Sequence, residues 1–175
     1  VPQRSKGETF DNPWQAFAMY DYVLRYTDVM LMRAEAMIET GDLEGARTII
    51  NDIRNRAKNS VDKHIGYAKD QCEIALYPAN YFQDKETARK CLQWERRLEM
   101  AMEGGRYFDL RRWGIASQTL NTFFEKEKDV VYEGQTYAQY YKDAHYTPGK
   151  NEYFPLPYIQ LYYVPGLYTQ NKGYN

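Results

Sequence analysis

The sequence predicts an all-α fold: a helix hairpin followed by further helices and long loops. Three observations predict it. Two apolar stripes at helical spacing are separated only by Gly41-Asp42. A third stripe runs up to the double glycine Gly104-Gly105. A fourth, short segment rich in arginine and aromatic residues follows those glycines at once.

Residues 1–13 are polar, with two prolines, and read as an irregular lead-in, with Trp14 the first anchor. The first helix is expected from about Tyr20 to Gly41. Tyr22, Tyr26, Val29, Met30 and Met37 keep helical spacing, and Leu31, Met32, Ala34 and Ala36 widen the apolar surface. Asp42 is placed to cap the second helix. In it Ala46, Ile49, Ile50, Ile53 and Ala57 form a strict helical stripe. Two helices joined by so tight a turn make an antiparallel hairpin of the tetratricopeptide kind. No second copy occurs at the ~34-residue period of such arrays, so the hairpin needs other neighbours to cover it.

The third helix is capped by Asp84. Ala88, Cys91, Leu92, Leu98, Ala101 and Met102 define its buried stripe, and Glu95 falls inside that stripe. A carboxylate on an apolar face needs a partner, because an unpaired buried charge is very costly. Arginine suits the task, since its planar fork can grip a carboxylate with two hydrogen bonds. The expected arrangement is a structural ion-pair cluster at a folded-back corner, drawn from Glu95, Glu99, Glu103, Arg106, Asp109, Arg111 and Arg112. Paired carboxylates also equip glycosidases. The surrounding arginines argue against that use, because they lower carboxylate pKa values where a general acid needs a raised one.

After Gly114, Ala116, Leu120, Phe123 and Phe124 mark another helix. The segment 126–150 is charged and rich in tyrosine, Thr147-Pro148-Gly149-Lys150 reads as a turn, and Tyr153 to Pro157 is expected to be extended because each proline excludes its predecessor from the helical region. The long connection 58–83 carries several aromatics. A connection of that length within a domain is usually functional or mobile. Trp14, Tyr67, Asn80, Tyr81 and Phe82 are the candidate ligand contacts: flat rings can stack on the C–H face of a sugar, and an amide can bond its hydroxyls.

The run from Glu95 to Gly114 resembles the signature of the SusD/RagB family, the surface nutrient-binding lipoproteins of Bacteroidetes glycan-uptake systems. The family pattern is close to E-R-x-x-E-L-x-x-E-G-x-R-x-x-D-L-R-R-W-G. The chain matches it at Glu95, Arg96, Glu99, Glu103, Gly104, Arg106, Asp109, Leu110, Arg111, Arg112, Trp113 and Gly114. Leu31 to Ala36 resembles the family's L-x-x-A-E-A helix, and the tail from Pro165 to Tyr174 its terminal pattern, with Val164 and Lys172 as departures. The resemblance implies that residues 1–175 form one SusD/RagB-like C-terminal domain, part of a longer protein whose lipid anchor lies outside it. It implies binding of oligosaccharides or polysaccharides at the outer-membrane surface, and delivery to a SusC-like TonB-dependent transporter. No catalytic step and no cofactor are implied. The alternative is a helical scaffold that docks a transporter and has no ligand site of its own in this stretch.

Composition agrees with that frame. A chain of 175 residues supports one domain with a real core. Basic and acidic residues interleave to a net charge of −1, which offers nucleic acid no basic stripe. Tyrosine stands out, with 18 copies against 7 phenylalanines. The two histidines, His64 and His145, lie in different connections, so no metal-ligand spacing is present. Neither a nucleophile elbow nor a phosphate-binding glycine loop occurs.

Overall fold

Gly41 and Asp42 make the hairpin. Helix α1 (Tyr26–Thr40) ends where Gly41 takes the left-handed conformation at φ 96°. The Gly41 N–H bonds the carbonyl of Ile38 at 3.2 Å and the Asp42 N–H bonds that of Met37 at 2.9 Å. This is the paired closure by which a glycine satisfies the last carbonyls of a helix. Asp42 then caps α2 (Leu43–Ser60), its Oδ1 accepting from the Gly45 N–H at 3.0 Å. The computed structural model describes residues 23–60, 73–132, 134–136 and 138–174.

The packed face of α1 differs from the expected one. Thr27, Leu31, Ala34 and Ile38 are buried, whereas Tyr26, Val29 and Met32 are exposed. The helix also begins at Tyr26, later than expected. Apolar residues surround this helix, so spacing alone does not select a face; docking against α2 does. The α2 stripe is as expected, with Ala46, Ile50 and Ile53 buried, and it gains a polar member, Asn51.

Helix α3 (Lys85–Glu99) is capped by Asp84, whose Oδ1 accepts from the Thr87 N–H at 2.8 Å. That bond holds the Asp84 carboxyl below the usual carboxylate range. Ala88, Cys91 and Leu92 are buried; burial raises the pKa of the free Cys91 thiol. The C-terminal end departs from expectation. The helix stops at Glu99, before the glycines, and Met102 itself adopts a left-handed φ of 66°. Leu98 and Met102 are exposed and do not extend the buried stripe. Gly104 (φ 77°) completes the turn, and Gly105 begins the next helix in a right-handed conformation.

Contacts divide the chain into two units, residues 1–96 and 97–175, with the division inside α3. In the first unit α3 is tied to α1 by two ion pairs. Arg89 grips Glu39 with two bonds of 2.6 and 2.5 Å, and Arg96 meets Asp28 at 2.8 Å. The order of these pairs runs α3 antiparallel to α1.

In the second unit α4 (Arg106–Arg112) follows the glycines as predicted. It closes by the same device as α1. Gly114 (φ 71°) bonds the Arg111 carbonyl at 3.0 Å, and the Ile115 N–H reaches back to Leu110 at 3.0 Å. Ile115 also packs on the cluster formed by Leu110, Ala116 and Tyr146, completing the apolar contact that accompanies this closure. A Cβ on Gly114 would meet nothing within 4 Å, so Gly114→Ala isolates the backbone strain. It is expected to lower unfolding stability by about 1–2 kcal/mol, measured by urea titration.

Helix α5 (Ala116–Glu127) buries Ala116 and half-buries Leu120 and Phe124, while Phe123 stays exposed and meets Tyr141 edge-on. A β-ribbon and the last helix escaped the sequence reading. A two-residue antiparallel ribbon joins β1 (Val131–Tyr132) to β2 (Gln135–Thr136), with Val131 opposite Thr136. After the brief helix α6 (Ala138–Tyr141) and the Thr147–Lys150 turn, the 153–157 stretch is non-helical as expected. Pro157 then opens α7 (Tyr158–Tyr163). Proline is well suited to precede a helix, and nothing in its fixed φ prevents the next residue from starting one.

Candidate functional site

The expected ligand residues that the structure describes are Asn80, Tyr81 and Phe82. They form a single 3-10 turn, Ala79–Phe82, directly before α3. Trp14 and Tyr67 lie outside the described residues. Asn80 and Tyr81 are exposed. Phe82 is buried at 5% exposure and meets Tyr77 edge-on at 6.0 Å. A ring so covered has no face left for a ligand, so Phe82 supports the turn from beneath.

The turn is held from below by side chains of α2. Asn51, buried on α2, clamps the backbone of Tyr77 on both sides: the Tyr77 N–H donates to its Oδ1 at 2.8 Å, and its Nδ2 donates to the Tyr77 carbonyl at 3.0 Å. The amide thus pairs with an extended segment much as a neighbouring strand would. Arg47 adds a bond to the same carbonyl at 3.1 Å. Arg54, one turn along α2 from Asn51, lies against the Tyr77 ring at 4.6 Å from its centroid. Its Nε donates to the Ala75 carbonyl at 2.6 Å, and its Nη1 to Glu95 at 2.7 Å. Burial pushes the Tyr77 hydroxyl up to about 12. The Tyr81 ring, 6.0 Å from that of Tyr77 and tilted by 48°, completes a ledge of two tyrosines, with Asn80 exposed next to Tyr81 in the chain.

The residues of the predicted ion-pair cluster are spread over both units. Glu95 takes an arginine from α2: the Arg54 pair is nearly enclosed, with side-chain exposures of 15% and 5%. Asp109 takes Arg112, one turn on in α4, at 2.9 Å. Arg112 also lies over Trp113 at 4.7 Å, and Arg111 over Tyr153 at 5.0 Å. Arg106 has its Nη1 buried with no hydrogen-bond partner among the described residues, and burial lowers its pKa. Glu99 is half-buried and Glu103 exposed.

Glu95 and Asp109, the buried carboxylates of the motif, are each held by an arginine in an ion pair. No helix among the described residues is long and apolar enough to cross a membrane.

A family model described as the SusD family matches residues 5–174. No curated protein matches the chain. The match covers nearly the whole sequence, including the Glu95–Gly114 motif and the tail. SusD-family proteins bind carbohydrate in nutrient uptake, are non-catalytic, and are in general outer-membrane surface lipoproteins that pair with SusC transporters. With the helical hairpin, the capped third helix and the arginine-gripped carboxylates in place, the chain belongs to the SusD family.

Proposed function

We propose that this chain binds oligosaccharides at the outer-membrane surface without cleaving them and serves their uptake through a partner TonB-dependent transporter. The observation that carries the reading is the ledge of Tyr77, Asn80 and Tyr81, fixed from below by Asn51 and Arg54. A half-exposed tyrosine ring offers its face to sugar C–H groups, and the exposed Asn80, its neighbour in the chain, has an amide with one acceptor and two donors for hydroxyls. A fixed platform loses little freedom on binding. Trp14 and Tyr67 are further proposed contacts, while Phe82 acts as the support under the ledge.

A second reading has its own observation. Tyr26, Val29 and Met32 leave large apolar groups exposed along α1, as a helical scaffold that docks another protein would. Electrophoresis through gels containing soluble polysaccharides separates the two readings. Retardation by one glycan, with no cleavage products, is the expected result, and Tyr81→Ala is expected to weaken that binding about ten-fold. Unchanged affinity in Tyr81→Ala would remove the ledge as the site. Free migration through every glycan would favour the scaffold.

A further inference from the structure

We propose that the second unit carries a separate binding site, a cavity that takes an uncharged sugar ring. The inference rests on the glycan-binding reading but not on the Tyr81 ledge. The cavity measures about 420 Å³, within the ~300–1,000 Å³ range of small-ligand pockets and toward its lower end. Aromatic rings from separate parts of the chain wall it: Tyr107 of α4, Phe124 of α5, Tyr153 and Phe154 of the extended stretch, and Tyr174 of the tail.

The walls are fixed. Asn121 of α5 clamps Tyr146 as Asn51 clamps Tyr77, accepting from its N–H at 2.7 Å and donating to its carbonyl at 3.1 Å. Gln170 does the same to Leu156 at 2.8 and 3.0 Å, and Asn171 donates to the Phe154 carbonyl at 2.6 Å. The Tyr107 hydroxyl donates to the Asn151 carbonyl. The Tyr174 hydroxyl donates to the Tyr153 carbonyl at 2.9 Å, while Lys150 covers the Tyr174 ring. Every wall segment is therefore tied to another by its backbone, and the rings need not be ordered by the ligand.

The chemistry of the lining selects the ligand. Tyr107 and Phe154 stand 6.2 Å apart at 52°, an open angle between two ring faces. Phe154 and Tyr153 are 70% and 53% exposed, so the rim is accessible. The polar lining comes from His145, Asn151 and tyrosine hydroxyls; Lys150 and Arg111 meet it through the rings of Tyr174 and Tyr153, and Glu152 stands by the Tyr146 hydroxyl. The Tyr146 hydroxyl, on a residue only 4% exposed, makes no well-aligned hydrogen bond, with Tyr107 and the Glu152 carboxylate as its polar neighbours. Apolar ring faces with scattered neutral hydrogen-bonding groups match a pyranose, which is apolar on its C–H face and hydroxylated at its edge. A uronate or sulfated sugar would meet the Glu152 carboxylate next to the Tyr146 hydroxyl and be repelled by it.

Saturation-transfer NMR on the full chain tests this, with glucose, galactose and mannose disaccharides and glucuronic acid as probes, followed by titration of the best binder. At least one neutral disaccharide is expected to receive saturation, and glucuronic acid none. Phe154→Ala is expected to weaken binding about ten-fold, with Tyr81→Ala leaving this contact intact. Because Phe154 is largely exposed, its loss spares the core, and an unchanged melting temperature verifies that. Full affinity in a folded Phe154→Ala, together with loss in Tyr81→Ala, overturns this site and leaves the glycan reading standing. Saturation of glucuronic acid equal to that of the neutral sugars overturns the selectivity. No transfer to any probe, with retardation by a polysaccharide in the gel assay, overturns this site alone; failure of both assays overturns both readings.

Discussion

Arg54→Ala is expected to destabilise the chain by about 3–5 kcal/mol, the range for removing one partner of a buried ion pair. The size follows from what is left behind. Glu95, with a side chain only 5% exposed, would lose its 2.7 Å partner from α2. The Ala75 carbonyl would lose a 2.6 Å bond, and the Tyr77 ring its guanidinium. Arg54→Lys keeps the charge but cannot supply two diverging donors, so it is expected to recover only part of the loss. Glu95→Gln is expected to soften the fold as well, which is the signature of an anchor; a catalytic acid would leave a folded, inactive protein. Replacing both partners with apolar residues of similar size, Arg54→Met with Glu95→Leu, is expected to be milder than Arg54→Ala, since no buried charge is stranded. Urea unfolding of the four variants forms the check. A loss below about 1 kcal/mol for Arg54→Ala would mean that solvent screens the pair as it screens surface pairs.

Leu110→Ala is expected to cost about 2–5 kcal/mol, the range for deleting a large aliphatic side chain from a packed core. Leu110 is 2% exposed and sits with Ala116 and Tyr146 at the centre of the second unit's apolar cluster, with Tyr107, Ile115 and Leu120 around it. Its removal also takes away the contact that seats Ile115 after the Gly114 turn. Leu110→Met nearly conserves volume and is expected to lose less than about 1.5 kcal/mol. If the two substitutions proved equally mild, the cluster would have to be loosely packed, with room to collapse around the alanine.

Local features of the fold were legible in the chain. Gly41, Asp42 and Asp84 announce helix ends because a cap depends on atoms within one turn of it, and each acts where the spacing predicted. The α2 stripe was legible for the same reason: one side of that helix is polar and the other is not. The packed face of α1 was not, because Tyr26, Val29 and Met32 are as apolar as Leu31 and Ile38. The early stop of α3 at Glu99 was hidden as well. Leu98, Ala101 and Met102 continue a helical pattern, yet Met102 takes a left-handed conformation with its side chain in solvent.

The sequence by itself determined the helical class, the hairpin with its Gly41-Asp42 turn, the Asp84 cap and, through its long central motif, the family. Those rest on spacing and on residue chemistry read over a few neighbours. Tertiary structure alone decided which partners meet: Arg54 with Glu95 across 41 positions, Asn51 with Tyr77 across 26, and Asn121 with Tyr146 across 25. An arginine or an asparagine can satisfy many acceptors, and its own neighbours in the chain do not say which. The choice is made when burial removes water and leaves each polar group only the partners that folding has brought within reach.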